Sequence, residues 1–562
     1  MSKLPMRCAV RRFHCLLLGL LLGLPMAPRA LADDLASQPL RDQQQQLQRL
    51  EHEQRLRQWQ QRGRDVEPQP AQDLATTDAR CWPVSGVRLY GNRILSAQVL
   101  DGPVRLALRP CMDVGAINGL LKAITQRYVE AGYPASRPLL LRQPSPGAPL
   151  DIRIVEGFVE SIELPDRDHP LSLRGAFPGL LGEPLYLPDL EQGLDQLNRL
   201  PGFDVGIDLL PGELEGGTRV IVQPQRSARR WRFNSTFDNL GSDYLGVHRL
   251  YSSLSIDSPF AENGSLWLIF HKTAGGALGS SAGPAVRYDV PYGPWSFALT
   301  AIAVDSRAIT RKPRHVLQGN TRSYQLDVER MLWRNRRAMF STRLRLNHKQ
   351  LDNRIDRARI GNQSARLSNI EVGLDLLWLE DGLWNAYIGV AQGLDWFNAD
   401  QQATADFEPL YRSYRANLMH LRQGPPQRPW RWQSELDLQY SSDPLPTADQ
   451  LYLGGSNAIR GFRESPDSRT SGAVWRNTLN HPLPLSLPGG LELRPHLSVD
   501  HGWARASRTE PSRRLTGAAV GMTLTLPGSH LTLDYQRPLH ATGKRHQDLD
   551  PGYWVLQWAL TI

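Results

Sequence analysis

The sequence predicts a mainly β protein in which residues 227–562 form a 16-stranded antiparallel transmembrane β-barrel. Three observations lead to this prediction. Downstream of residue 230, segments of roughly ten residues alternate apolar and polar side chains, which is typical of strands with one face toward lipid and one toward water. Sixteen such segments can be counted, an even number, and the connections between them are alternately short and long. Closing the sheet would also give every strand edge a partner.

The clearest of these segments runs from residue 430 to residue 440. Trp432 and Leu438 would face lipid, whereas Glu435 and Asp437 would face a wet lumen. A soluble sandwich also alternates in this way, so the lengths of the connections have to discriminate between the two folds. We expect the short connections at the periplasmic end of a barrel. The long ones, at its extracellular end, would be 305–320, 348–363, 394–408 and 441–469.

The N-terminus predicts a secretory signal peptide. Arg7, Arg11 and Arg12 precede the apolar run Leu16–Leu24, and Ala30–Ala32 offers small residues for cleavage. The apolar run is too short for a spanning helix, which needs about 20 apolar residues. Removing the signal and its five cations would lower the formal net charge from +9 to +4. The basic character is therefore mostly a targeting feature, and we expect no nucleic-acid partner.

Four cysteines divide into two pairs with different fates. Cys8 and Cys15 would leave with the signal peptide, so Cys81 and Cys111 form the pair that remains in an oxidising compartment. We expect them to form a disulfide, which would contribute roughly 3–4 kcal/mol in the chain-entropy model. A metal site is the weaker alternative, because the sequence places no histidine or second cysteine pair nearby to complete a tetrahedron.

Between the signal peptide and the barrel, the pattern changes twice. Residues 33–61 are rich in Gln, Arg and Leu without β-branched residues, which predicts a helix. Residues 62–79 contain Pro68 and Pro70 and show no periodicity, so they predict a linker. The next part of the chain repeats one order of elements, strand, helix and two strands, with Asp113 as the predicted cap of the first helix. This repeat predicts two small α+β modules in tandem.

The long segment between predicted strands eleven and twelve contains Ile459-Arg460-Gly461-Phe462. This motif resembles the Val-Arg-Gly-Tyr/Phe motif in the sixth extracellular loop of the outer-membrane transporter in two-partner secretion systems, of the haemolysin and filamentous-haemagglutinin transporter type. The other matching motifs are Cys81–Pro83, Ala131–Tyr133, Val155–Gly157, Asp189–Gly193 and Leu197–Pro201. The resemblance covers nearly all of the chain after the signal peptide.

This resemblance implies a division of the chain and gives names to its parts. The α+β modules would be polypeptide-transport-associated (POTRA) domains, and the N-terminal helix would be a plug inside the barrel. The implied segments are 1–32 signal peptide, 33–61 plug helix, 62–79 linker, 80–156 first POTRA domain, 157–226 second POTRA domain and 227–562 barrel.

In this family the sixth loop folds back into the lumen, and its arginine pairs with an acidic residue on the barrel wall. The resemblance therefore implies that Arg460 pairs with Asp500. The chain departs from the family pattern at Ser498, where a phenylalanine is usual, and at Ile562, where an aromatic residue usually ends the chain. Independently of the resemblance, Gly461 permits a tight turn and Arg460 can bind a carboxylate bidentately. The alternative is an arginine in a solvated surface loop.

The resemblance implies a monomeric outer-membrane transporter that secretes an exoprotein without ATP, a cofactor or a metal, and without catalysing a reaction. The exoprotein would bind the POTRA domains, whose strand edges can accept an added strand. One alternative is an assembly factor for other barrel proteins, and another is an enzyme or a passive porin. Gly279–Gly283 fits a Gly-x-Ser-x-Gly nucleophile pattern, but we expect it in a Gly- and Ser-rich loop rather than at a strand-to-helix turn.

Overall fold

The structure is a computed structural model of the 562-residue chain. It describes residues 38–44, 46–47, 81–165, 169–274, 278–310, 314–335, 337–360, 363–401, 408–425, 427–454, 458–463, 467–483, 488–506 and 510–562. The predicted signal peptide, the predicted linker and most of the predicted plug helix lie outside the described residues.

The first α+β module packs two helices against a three-stranded sheet. Its elements are β1 (Cys81–Pro83), β2 (Val87–Tyr90), α1 (Ala97–Ala107), β3 (Cys111–Asp113), α2 (Val114–Glu130), β4 (Arg137–Leu140) and β5 (Leu150–Val155). The sheet order is β2-β5-β4, with β2 parallel and β4 antiparallel to β5. Asp113 caps α2 by accepting a hydrogen bond from the Ala116 amide at 2.6 Å. The predicted disulfide between Cys81 and Cys111 is present, with Cα atoms 5.5 Å apart, and it joins the paired strands β1 and β3.

The second module repeats this arrangement. Its elements are β6 (Phe158–Glu163), α3 (Leu173–Ala176), α4 (Leu187–Asn198), β7 (Phe203–Pro211) and β8 (Gly217–Ser227). The sheet order is β6-β8-β7, again with one parallel and one antiparallel pair. Leu190, Leu197 and Val220 form part of its buried core. The sequence did not predict α1, which contains Gly102 and Pro103, because both residues are poor helix formers.

Within the described residues, 16 antiparallel strands close into a barrel, so the predicted fold class is confirmed. These strands are β9 (Trp231–Asp238), β10 (His248–Asp257), β11 (Ser265–Ala274), β12 (Gly279–Tyr292), β13 (Trp295–Ile309), β14 (Val316–Arg334), β15 (Ala338–Ile355), β17 (Arg366–Leu379), β18 (Leu383–Leu394), β19 (Arg412–Gln423), β20 (Arg431–Ser441), β23 (Ser471–Asn480), β24 (Glu492–Arg505), β25 (Arg513–Leu526), β26 (Ser529–Ala541) and β27 (Tyr553–Thr561). β27 pairs with β9 and closes the ring.

Shorter elements extend the loops at the barrel end away from the modules. β16 (Ala358–Arg359) folds back onto β15, and β21 (Leu451–Tyr452) pairs with β22 (Ser468–Arg469) in a small hairpin between β20 and β23. Short 3-10 turns occur at this end at Thr447–Asp449 and His546–Asp548, and at the module end at Pro488–Gly490.

Side chains alternate between the two faces of the barrel wall as the sequence pattern predicts. On β20, Leu438 and Tyr440 are exposed on the outside, whereas Gln439 between them is buried toward the inside. A strand with an apolar outer face can cross a bilayer because its backbone groups are all paired with neighbouring strands. No helix in the described part of the chain is both long and apolar enough to span a membrane.

Two expectations about connections were wrong. Segment 305–320 contains strand residues because β13 and β14 are longer than expected and leave a connection of only 310–315. Segment 348–363 contains the end of β15, which continues to Ile355, and the short strand β16. Gly279–Gly283 also lies in a strand, the start of β12, and not in a loop. In both cases polar residues at the strand ends resembled loop sequence. In the structure, hydrogen bonds to the neighbouring strand hold them extended.

The described part of the predicted plug segment, residues 38–44 and 46–47, is helical and lies inside the barrel. Leu40 and Leu47 pack on the inward-facing side chains Trp267 of β11, Ala285 of β12 and Ile302 of β13, three neighbouring strands. The apolar side of this helix is therefore covered by the barrel wall.

Candidate functional site

The segment between β20 and β23, called loop six below, folds inward and packs on the barrel wall. Leu453, Ile459 and Phe462 are fully buried, and they contact Val474 and Ala504 of the wall. Burying an apolar side chain of this size stabilises a fold by about 1.5–3 kcal/mol, so this cluster holds the loop inside the barrel.

Arg460 lies beside Asp500, as the family motif implies. The Arg460 Nε is 2.9 Å from Asp500 Oδ2, and the Arg460 backbone amide donates to the same oxygen at 3.0 Å. The Asp500 side chain is fully buried, whereas that of Arg460 is 21 % exposed. A buried carboxylate is costly unless it is paired, and loop six provides the guanidinium group in direct contact with Asp500, while Arg476, opposite Asp500 on β23, adds a second positive charge nearby.

Ser498 takes part in the surroundings of this ion pair. Its hydroxyl donates to Thr478 Oγ1 at 3.2 Å, and the same Thr478 oxygen accepts a hydrogen bond from Arg460 Nη2 at 3.0 Å. A pair of hydroxyl groups therefore supports the guanidinium group here, in place of the aromatic ring that is usual at the Ser498 position.

Two glycines allow loop six to touch the wall backbone. A Cβ atom on Gly517 of β25 would lie 1.8 Å from the Arg460 carbonyl oxygen. A Cβ on Gly461 would lie 2.5 Å from the backbone of Arg537 and Pro538 on β26, and Gly461 itself has a φ of +93°. A larger residue at either position would displace the loop.

A second ion pair attaches loop six to another part of the wall. Asp449 Oδ1 in loop six is 2.6 Å from Lys349 Nζ on β15, and the two side chains are 3 % and 5 % exposed. Arg415 on β19 lies 3.6 Å from the same carboxylate oxygen, and Gln439 donates to the Asp449 carbonyl at 3.0 Å. Loop six is therefore held at two points, near Asp449 and near Arg460.

Charged side chains of opposite sign alternate along the inner wall. Glu371 on β17 lies 3.3 Å from Arg415 and 4.0 Å from Arg345. Arg345 in turn lies 2.7 Å from Asp327, and Arg343 bridges two further carboxylates on neighbouring strands. This network presents a polar surface to the lumen.

The inner helix makes one set of hydrogen bonds to β11 and β12. Gln43 Nε2 lies 2.9 Å from the Gly283 carbonyl oxygen and 2.7 Å from His271 Nδ1. Because an amide nitrogen only donates, Nδ1 must accept, and the ring proton then sits on Nε2. That nitrogen lies 3.0 Å from Ser281 Oγ, which therefore accepts a hydrogen bond from the histidine. In this arrangement His271 is not a base for Ser281, and the Gly-x-Ser-x-Gly match serves to hold the helix.

The same helix bridges to β10 and to loop six. Asp42 Oδ2 is 3.4 Å from Arg249 Nη1, and Arg249 also pairs with Asp238 at 2.8 Å. Arg41 Nη1 donates to the Thr447 carbonyl at 3.1 Å, and its guanidinium group lies 4.4 Å from the ring centre of Tyr452. The helix and loop six are therefore in direct contact inside the barrel.

The second module is fixed to one end of the barrel. Arg334, at the end of β14, lies 2.7 Å from Asp195 and 3.4 Å from Glu191 of α4. Arg199 after α4 lies 2.5 Å from Asp289 of β12. Burial raises the pKa of Asp189 on the same helix, and the positive charge of Arg334 opposes this shift.

Replacing Arg334 by alanine is expected to loosen this junction by roughly 1.5–3 kcal/mol, the range for hydrogen bonds to charged groups. Asp195 and Glu191 would lose a guanidinium partner whose side chain is only 8 % exposed. Trypsin should then cleave faster at residues 229–230, between the module and the barrel. Arg337→Ala, in the same turn but 72 % exposed, is the control and should leave the rate unchanged. Equal cleavage of both variants would contradict the role of Arg334.

Two of the motifs noted in the sequence, Ala131–Tyr133 and Val155–Gly157, lie where the two modules join. Tyr128 donates to Glu156 at 2.8 Å, and burial followed by this hydrogen bond raises the pKa of the Tyr128 hydroxyl. Gly132, with a φ of +92°, packs on Tyr186, and its carbonyl accepts from the Leu187 amide at 2.8 Å. These contacts fix the angle between the modules.

The C-terminal residue takes part in barrel closure through its backbone. The Ile562 amide donates to the Phe233 carbonyl at 2.9 Å, and the Phe233 amide donates back at 3.1 Å. Its side chain is exposed on the outside, as are those of Trp554 and Trp558 on β27.

Sequence reasoning missed the residues that hold the helix and the second attachment of loop six. These are Arg41, Asp42, Gln43, Arg249, His271, Lys349 and Asp449. The alternation pattern puts Lys349 and His271 on inward positions, which was an available signal, but many inward polar residues look the same. Among the described residues, no group of His, Cys, Asp or Glu side chains could hold a metal ion.

A closed barrel with an occupied lumen and two α+β modules at one end defines the POTRA-and-barrel class of outer-membrane transporters. Residues 216–524 match the family described as haemolysin secretion/activation protein ShlB/FhaC/HecB. Residues 82–157 match the ShlB-type POTRA domain, and residues 158–211 match a further POTRA domain. The chain belongs to this family of two-partner secretion transporters, which lie in the outer membrane with their POTRA domains in the periplasm.

Relatives and solved structures agree with this assignment. The chain is 30% identical over 478 residues to the hemolysin transporter protein ShlB of Serratia marcescens, covering 84% of each chain. It is 28% identical over 502 residues to the outer membrane transporter CdiB of Escherichia coli strain 536, covering 86% of this chain and 83% of the other. The structure of CdiB from Escherichia coli superposes with a TM-score of 0.81 at 26% identity, over 92% and 98% of the two chains.

Proposed function

We propose that this protein passes a secreted exoprotein of the haemolysin or contact-dependent toxin class outward through the barrel lumen. The observation that carries the proposal is the way the lumen is filled. The inner helix and loop six occupy it, and the helix is held largely by side-chain hydrogen bonds and ion pairs, such as Gln43 to His271 and Asp42 to Arg249. Water or a passing polypeptide can replace such contacts one at a time.

The inner wall also suits an extended, unfolded chain. Its charged groups are paired with one another, as in the Glu371, Arg415 and Arg345 cluster, so neither sign dominates the surface. Around this cluster, a polypeptide in transit would meet a hydrated, polar lining. We propose that the barrel acts as a monomer embedded in lipid.

We propose that the exoprotein first binds the POTRA domains by adding a strand to an exposed edge. β7 lies at the edge of its sheet and exposes Leu209 and Leu210, and β4 lies at the edge of the other sheet and exposes Leu139. Free backbone groups on an edge strand bind an extended chain without requiring a fixed sequence, while neighbouring apolar side chains add affinity.

Transport would then proceed in three steps. The inner helix leaves the lumen, loop six moves from its wall contacts, and the exoprotein threads outward. Folding of each emerging segment outside the cell would prevent its return, which supplies direction without ATP. The proposal assigns no catalytic residue, because Ser281 and His271 are used to hold Gln43.

Comparing the culture medium and the periplasm of cells with and without this protein tests the proposal. We expect one large polypeptide to disappear from the medium and to accumulate or be degraded in the periplasm. The levels of other outer-membrane barrel proteins should not change. A general loss of those barrels would instead identify an assembly factor and refute secretion as the primary function.

A further inference from the structure

The outward face of the barrel changes from apolar to charged near its extracellular end, with more arginines than carboxylates on β13–β17. Along β14, Leu326 and Tyr324 face outward and are exposed, and the next outward residue is Arg322. Along β17, the outward residues Val372 and Ile370 lead to Arg366 in the same way, with Ser368 between. Both arginines are exposed, and each lies beyond the apolar outward residues of its strand, where lipid head groups are expected.

Strand register brings four such arginines into one patch. In one row across the sheet, Arg322 pairs with Gln350, which pairs with Arg366. Four residues further toward the cell exterior, Arg307 pairs with Gln318, which pairs with Arg354. The row between these two contains Asp305 and Asp352 on either side of Asn320. Neighbouring strands lie about 4.8 Å apart, so the two arginines of each row are roughly 10 Å apart at the backbone. We call these four residues, Arg307, Arg322, Arg354 and Arg366, the outer arginine patch.

Within the patch, the arginines nearest the apolar band lack acidic partners. Arg354 pairs with Asp352 at 2.8 Å. The side chains of Arg322 and Arg366 have no hydrogen bond or ion pair with any residue that the structure describes. Two exposed guanidinium groups about 10 Å apart can reach one anion between them, since each side chain is long and flexible.

The position of the patch identifies the anion. An arginine fork binds phosphate oxygens bidentately, and lipid phosphates lie directly outside the apolar band of a membrane. Tyr324 and His348, whose rings lie 6.5 Å apart, lie next to the row of Arg322 and Arg366, as aromatic residues do at a membrane interface. Because the patch is at the end opposite the POTRA domains, the phosphates within reach are those of the outer leaflet.

We propose that the outer arginine patch binds the phosphate groups of lipopolysaccharide in the outer leaflet. Arg322 and Arg366 would hold a lipid phosphate at a fixed place on the wall formed by β13–β17. This binding site is separate from the lumen, so the inference does not depend on the proposal that the barrel secretes an exoprotein.

Binding of purified lipopolysaccharide to the full-length protein in detergent, measured by native mass spectrometry, tests the inference. The double variant Arg322→Gln with Arg366→Gln is expected to bind at least about tenfold more weakly, because two charged phosphate contacts are lost. The matched control is Arg330→Gln with Arg422→Gln, two outward arginines at the periplasmic ends of β14 and β19, and it should bind like the parent. Lipopolysaccharide from which the phosphates have been removed should bind the parent and the double variant equally weakly.

Two outcomes would overturn the inference. One is equal binding of lipopolysaccharide by the parent and the double variant, provided that both proteins show the heat-dependent mobility of a folded barrel. The other is equal competition by phosphatidylglycerol, which would make the patch a general surface for anionic lipids.

Discussion

Replacing Arg460 by alanine is expected to reduce secretion of the exoprotein about tenfold or more, because the fully buried Asp500 carboxylate would lose its guanidinium partner. Breaking a buried ion pair from one side costs about 3–5 kcal/mol, which is enough to displace a loop from its seat. Ile459 and Phe462 would be withdrawn from the wall with it. Secretion and the unfolding temperature of the barrel should be measured on the same preparation.

A double variant distinguishes the effect of leaving the Asp500 charge unpaired from the effect of losing the contact between Arg460 and Asp500. Adding Asp500→Asn to Arg460→Ala removes the unpaired charge, so the unfolding temperature should recover while secretion stays low. Arg463→Ala, three residues further along, is the control, since Arg463 lies 4.6 Å from the ring centre of Tyr553 and outside the ion pair. Normal secretion by Arg460→Ala would show that the pair with Asp500 is not needed for transport.

Releasing the inner helix is expected to open the channel. Asp42→Asn with Gln43→Leu removes the ion pair to Arg249 and the hydrogen bonds to His271 and the Gly283 carbonyl. The loss of two or three such contacts should raise the population without the helix in the lumen by roughly 10–100-fold. Single-channel recording in planar bilayers should therefore show a matching increase in the fraction of time spent open.

The neighbouring glutamine provides the control for this variant. Gln44 is only half-buried, so Gln44→Leu changes the same residue type one position away and should leave the open fraction unchanged. If the Asp42 and Gln43 variant opened no more often than the parent, the helix would not be what closes the lumen.

Arg41 connects the inner helix directly to loop six. Arg41 reaches the Thr447 carbonyl and the Tyr452 ring, and Asp449, two residues from Thr447, is the loop-six partner of Lys349. Departure of the helix would therefore remove support from the same part of loop six that the second ion pair holds. The two movements in the proposed transport cycle are expected to be coupled through this contact.

The barrel could be predicted from the sequence because its signal is local and repeated. Each strand, such as 430–440, alternates apolar and polar side chains by itself, and the pattern then recurs in every hairpin. The extended ends of β13 and β14 were missed because their residues, around Asp305 and Asn320, are polar on both faces. Outside the membrane, the sequence no longer marks which face points inward.

The interior of the barrel could be predicted only in part. Arg460 and Asp500 were identified through a family motif, whereas Lys349 and Asp449 are separated by 100 residues and belong to no motif noted in the sequence. A contact of this kind depends on how loop six lies across the lumen. Neither periodicity nor residue type contains that information.

Photo-crosslinking of a stalled exoprotein tests most directly whether the lumen is the path of transport. A photoreactive phenylalanine analogue would replace Tyr387, which faces the lumen and contacts Glu371. In a second protein it would replace Ile388, the next residue, which faces outward and is 61% exposed. We predict that the exoprotein is crosslinked at position 387 and not at position 388. Crosslinks at position 388 alone, or at both positions equally, would contradict transport through the barrel.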